Sequence, residues 1–143
     1  MKYYLPIIFA LLALLSASCS RYDHKTPDSA ANRQGFTRIL RQKPGPEVKN
    51  VFFYADEWGG DAVYVLAFEA PTPVIDRIVG ELKLTPEPND AFRAPFNVPA
   101  ELTWWRADER EKSQFYANHS EKIESMLWYN PDTRKCQCLI IGL

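Results

Sequence analysis

Val51-Phe52-Phe53-Tyr54-Ala55-Asp56-Glu57-Trp58-Gly59-Gly60-Asp61-Ala62-Val63-Tyr64-Val65-Leu66-Ala67-Phe68 is the stretch that decides the fold. Residues 51–54 and 63–68 are short, aromatic and β-branched, which is strand composition. Residues 56–61 between them are polar and include two adjacent glycines, a turn signal. Two strands around a Gly-Gly turn predict an antiparallel hairpin. Apolar side chains fall on both faces of the runs, so a central, covered position is expected.

A helix follows over about 72–84. Thr72 can cap it, Pro73 suits its first position, and Pro86 stops its continuation. Val74, Ile75, Ile78, Val79 and Leu82 form one apolar stripe at helical spacing. Asp76, Arg77, Glu81 and Lys83 take the other side, and Gly80 costs some helix propensity. Residues 85–101 hold Pro86, Pro88, Pro95 and Pro99 and read as an irregular loop. A short strand is expected over 102–105 and a charged surface helix over 108–118. Residues 123–129 and 135–141 read as strands flanking Asn130-Pro131-Asp132-Thr133, which suits a type I turn and a second hairpin. The expected class is therefore α+β, with a small antiparallel sheet from two hairpins and one main helix packed on one face. Residues 50–143 would form that single domain.

The N-terminus has a different character. Lys2 is followed by the apolar run Leu-Pro-Ile-Ile-Phe-Ala-Leu-Leu-Ala-Leu-Leu from Leu5, too short to span a bilayer, which needs about 20 apolar residues. It has the shape of a cleaved signal. The sequence Leu15-Ser16-Ala17-Ser18-Cys19 then resembles the lipobox of bacterial lipoproteins. Ser16 stands where that family favours Leu, and Leu15 lies one place further back. The resemblance implies that residues 1–18 are removed and that Cys19 carries several acyl chains and anchors the protein to a membrane. Ser20 after Cys19, in place of Asp, implies the outer membrane, facing the periplasm. The other reading of the same residues is an ordinary secretory signal cut near Ala17 or Ser18.

Residues 20–49 are polar, hold Pro27, Pro44 and Pro46, and read with Cys19 as a flexible tether over 19–49, in which 36–40 is the one stretch that could order as a short helix. A flexible chain of this length spans roughly 30 Å, so the domain should stay near its own membrane. From Ser20 to Asn50 there are seven basic and three acidic residues; from Val51 onward there are nine basic and fifteen acidic. A basic tether is attracted to an anionic membrane surface. An acidic folded part excludes nucleic acid as a partner, since phosphate binding needs a basic footprint there. Aromatic residues make up 13% and hydrophobic residues 46% of the 143, enough for one core.

Cys136-Gln137-Cys138 is the sharpest local feature of the domain. On a strand both thiols share a face. They read as small buried residues, as a disulfide near the limit of tolerated geometry, or as a soft-metal or thiol-exchange site. Zinc would need more ligands than the two histidines, His24 and His119, supply. Among the aromatics, Trp58 sits at a turn, and the pair Trp104-Trp105 on a strand would place one indole in the core and the other outside. Trp58, Trp104 and Trp105 are thus the candidate binding surface, able to stack on a glycan or a partner side chain. Asp56, Glu57 and Asp61 do not have the spacing of a calcium loop. No catalytic or nucleotide-binding motif occurs, and no cofactor is implied. The expectation is a lipid-anchored, non-catalytic module for an envelope protein or glycan. The alternative is a thiol or soft-metal protein centred on Cys136 and Cys138.

Overall fold

The computed structural model describes residues 25–58, 60–89 and 98–142. Six antiparallel strands form one sheet: β1 (Lys49–Trp58), β2 (Asp61–Glu69), β3 (Thr85–Glu87), β4 (Gln114–His119), β5 (Ile123–Asn130) and β6 (Lys135–Gly142). Their spatial order is β1-β2-β6-β5-β4-β3. Among the described residues three helices accompany them: α1 (Ala30–Leu40), α2 (Thr72–Glu81) and α3 (Ala107–Arg110). This corrects the expected α+β arrangement of a small sheet under one main helix. The sheet dominates, and the helices are short.

Both hairpins form where their turn residues put them. Trp58 pairs with Asp61 across the glycines, and Gly60 takes φ 112°, open to glycine alone. In the other turn the Asn130 Oδ1 accepts from the backbone N–H groups of Asp132 (3.0 Å) and Thr133 (3.3 Å). The hairpins are joined by β2 pairing with β6, from Ala62 opposite Gly142 to Glu69 opposite Lys135. That places β2 and β6 inside the sheet, each paired on both sides, which accounts for their unbroken apolar runs.

On one face, Phe53, Leu66, Phe68, Leu127, Tyr129 and Cys138 meet α1 and α2. On the other, Val65, Leu139, Met126, Trp128 and Phe115 are covered by Leu102, with Trp104 and Trp105 packed beside it. α2 lays Val74, Ile75 and Ile78 on the sheet. Pro71, not Thr72, holds its N-cap position, and the Thr72 hydroxyl lies 3.2 Å from the Tyr129 hydroxyl. The helix ends at Glu81, and Lys83 enters the left-handed region at φ 52°.

The flexible tether expected over 19–49 is corrected from Thr26 onward. Ser29 caps α1 by accepting from Asn32 N–H. Asn32 Nδ2 donates to Thr26 O (2.9 Å) and Val51 O (3.1 Å), and the Asp28 carboxylate accepts from Asn50 and Val51 N–H. Arg33 reaches Pro44, Gly45 and Val48 carbonyls and pairs with Asp28 at 2.8 Å. Phe36 and Leu40 are fully buried, and the Phe36 ring meets Phe68 edge-on at 5.0 Å. Gly35 lies so close to the Phe53 ring that a Cβ there would overlap it. The buried face of α1 is thus Asn32, Gly35, Phe36 and Leu40. Two of those four are not apolar side chains, so hydropathy alone does not show the stripe.

Three further expectations are corrected. Residues 108–118 are not one helix: α3 is a single turn, and β4 follows, paired along β5. Residues 102–105 are turns, closed by Leu102 N–H to Pro99 O and Trp105 N–H to Leu102 O, not a strand. Within the proline-rich loop, 85–87 forms β3 at the sheet edge, where Pro86 needs no ladder partner on its outer side. Cys19 and the residues before it lie outside the described residues. No helix among the described residues is long and apolar enough to cross a membrane.

Candidate functional site

A cleft of about 270 Å³ opens where residues 103–109 cross β1, β2 and β6. Its aromatic wall is Phe52 of β1 stacked on Trp104, with ring centroids 5.4 Å apart and planes 15° apart. Asn50 lies at its mouth at φ 53°, in the β1 irregularity between Lys49 and Phe52. The rim is charged. Lys135 Nζ lies 2.6 Å from Glu109 Oε1, and Arg106 donates to both carboxylate oxygens of Asp108 (3.0 and 2.8 Å). Those hydrogen bonds hold the Asp108 carboxyl below its usual range and raise Arg106.

The crossing segment is fixed to the sheet at three points. Gln137 Oε1 accepts from Arg106 N–H (3.1 Å) while its Nε2 donates to Arg106 O (2.9 Å). Trp105 packs edge-on against Trp128 at 5.9 Å, and the Arg110 guanidinium lies 5.1 Å from the Trp105 ring and 5.2 Å from the Trp128 ring. Among the described residues Arg110 Nε has no hydrogen-bond partner, and burial lowers its pKa; the two indole faces supply the attraction instead. Asn89 completes the arrangement: Trp128 Nε1 donates to its Oδ1 (3.2 Å), and its Nδ2 donates to Arg110 O (2.6 Å).

Of the aromatic residues singled out from sequence, Trp104 lines this cleft. Trp105 turns toward the core beside it, and both indoles are half-buried on the same sheet face. The expected opposition of one core and one exposed indole presupposed a strand, and a turn does not alternate. Trp58 ends β1 at the hairpin opposite Asp61, at the other end of the strand from Phe52. Phe52 and Gln137 were missed. The signal for Gln137 is present in the sequence: it is the one polar side chain in a buried strand, which needs partners.

Cys136 and Cys138 face the helices, unbonded to each other and buried to 1% and 0% exposure. Cys136 sits between Phe68 and Tyr129, and Cys138 between Leu66 and Leu127. Burial pushes both thiols up, Cys138 to about 12. No group of three His, Cys, Asp or Glu with metal-ligand proximity occurs among the described residues. A thiol reagent near pH 8 is therefore expected to leave both cysteines unmodified in the folded protein and to modify both after unfolding. The linkage has a definite sign. The stability contributed by the protonated thiols is full below their ordinary value of 9.0 and is lost as pH rises toward about 12. Unfolding midpoints compared across that window should fall further in the native sequence than in Cys138→Ala.

His119 is exposed at the end of β4, its Nε2 3.4 Å from Glu87 Oε2, outside the cleft. No protein-family model, curated protein or solved structure matches this chain.

Proposed function

We propose that this chain is a lipid-anchored bacterial envelope protein that binds an envelope protein or glycan through the cleft of Phe52 and Trp104, and that it catalyses no reaction. The observation that carries the binding reading is the stacked aromatic wall beside a rim of paired charges. An aromatic face accepts sugar C–H groups or a partner side chain, and Asn50, Thr103 and the rim charges offer polar contacts around it. The lipobox-like Leu15-Ser16-Ala17-Ser18-Cys19 supports the anchor, and Ser20 the outer membrane facing the periplasm.

The fold adds a geometric consequence. Thr26 and Asp28 are docked beside Asn50 and Val51, next to the cleft mouth. From Cys19 to Lys25 the chain can extend at most about 20 Å. This supports a reading in which the cleft lies at the anchored end of the domain, within reach of partners held at the same membrane.

Trp104→Ala is expected to weaken capture of envelope components by about tenfold or more, as loss of an aromatic anchor does, while leaving the circular dichroism spectrum unchanged. The test compares binding of the full chain and its variant to isolated cell-wall polymer and to cross-linked envelope proteins. Equal capture by both would sink the assignment to this cleft. Mass spectrometry of the mature N-terminus tests the anchor separately: acylated Cys19 supports it, and an unmodified N-terminus refutes it.

A further inference from the structure

A second cleft, of about 340 Å³, lies on the opposite face and at the opposite end of the sheet, where the C-termini of α1 and α2 come together. Its walls are apolar: Ile39, Tyr64, Leu82, Ile123 and Ile140. Ile123 is the exposed large hydrophobic among the described residues, at 44%. Its rim carries Arg38, Arg41 and Lys83 against the single acid Glu81. Arg38 and Arg41 come from the basic stretch 20–50, and Lys83 from the acidic part of the chain, so the fold brings cations of two distant segments to one rim.

The three cations are not equally committed. Arg38 is engaged, 3.2 Å from Glu57 and over the Phe53 and Tyr64 rings. Among the described residues the Arg41 and Lys83 side chains have no hydrogen-bond or ion-pair partner. Both follow a helix in the left-handed region, Arg41 at φ 56° and Lys83 at φ 52°, where glycine is the favoured residue. Four carbonyls at this helix end do not need Lys83. The carbonyls of Ile78, Val79 and Gly80 are taken by backbone N–H groups, and that of Leu82 by Asn118 Nδ2. Ser125 also lines the cleft and is 5% exposed. Its hydroxyl offers a polar ligand atom a hydrogen-bonding group between the apolar walls.

We infer that this cleft binds a small amphiphile with an anionic head, a carboxylate or a phosphate monoester, held at the rim by Arg41 and Lys83 with its apolar part against Tyr64, Ile123 and Ile140. The volume suits a short chain and is at the small end of ligand pockets. The site is independent of the cleft at Trp104 and of the lipid on Cys19.

The test uses the full chain in neutral phosphatidylcholine nanodiscs, with isoleucine methyl groups labelled for NMR. Octanoate and octyl phosphate are the probes, and octanol and acetate the controls. Saturable shifts of the Ile123 and Ile140 methyls with at least one anionic probe are expected, with octanol and acetate weaker by about tenfold or more, since a charge-assisted contact has that value. Comparison of the two probes identifies the head group. The double variant Arg41→Gly, Lys83→Gly should lose about tenfold in affinity while its thermal midpoint stays level or rises, because glycine tolerates the left-handed conformation. Ser125→Ala should weaken binding without moving the midpoint downward. No saturable shift with either anion, octanol binding as tightly as octanoate, or undiminished binding by the double variant would each overturn the assignment. So would shifts centred on Ile141, which packs on the other face.

Discussion

Phe36→Ala is expected to destabilise the protein by about 3–5 kcal/mol, the range for removing a fully buried aromatic ring. Phe36 has no exposure, meets Phe68 edge-on, and sits one residue from Gly35, whose missing Cβ lets α1 press onto Phe53. The neighbourhood cannot collapse to fill the space, because Asn32 on one side and Arg33 on the other tie the helix to Val51 and to residues 44–48. A small domain has a total stability of about 5–15 kcal/mol, so the loss is a large fraction of it. Urea denaturation of the full chain measures it as a lowered midpoint. Gln34→Ala, on the exposed side of α1, is the comparison and should change stability by less than about 0.5 kcal/mol. If α1 were part of a flexible tether, the two variants would behave alike.

Trp128→Ala should cost a similar 3–5 kcal/mol from the other side of the sheet. Trp128 is 2% exposed, stacks on Phe115 at 5.0 Å, receives Trp105 edge-on and supports Arg110. Its removal leaves Asn89 Oδ1 without its indole donor and Arg110 without one of its two rings. The loss should therefore be accompanied by release of residues 102–110 from the sheet, seen as faster amide exchange there, with residues 72–81 still protected. Phe36→Ala should show the opposite pattern, with exchange accelerated in residues 30–48. Equal acceleration on both faces in both variants would mean that the two cores do not open separately.

The two variants probe the parts of the fold least visible in the sequence. α1 was legible only as a possible short helix over 36–40, because its buried face spends two of four positions on Asn32 and Gly35, chosen for hydrogen bonding and close approach, not for hydropathy. β4 escaped because Gln114, Tyr116, Asn118 and His119 surround its two buried residues, Phe115 and Ala117, and a charged run precedes it. Tertiary pairing with β5 overrides that weak local pattern. The candidate site was half legible. Trp104 was singled out on an assumed strand, and it lines the cleft from a turn. Its partner Phe52 could not be found, because a stack between residues 52 and 104 exists only after two distant segments meet.

Sequence alone determined what is local. The Gly-Gly turn, the Asn130 turn and the Pro73-led helix each depend on residues within a few positions of one another, where φ restriction and side-chain spacing act directly. Only the tertiary structure decided which hairpin edges meet, that residues 26–48 belong to the core, and that residues 102–110 cover the second face. Those outcomes depend on which apolar faces can cover one another once the entropy of closing long loops has been offset by burial. The first hairpin illustrates both: its turn was fixed by two glycines, while its place beside β6 was fixed by the need to bury both of its faces.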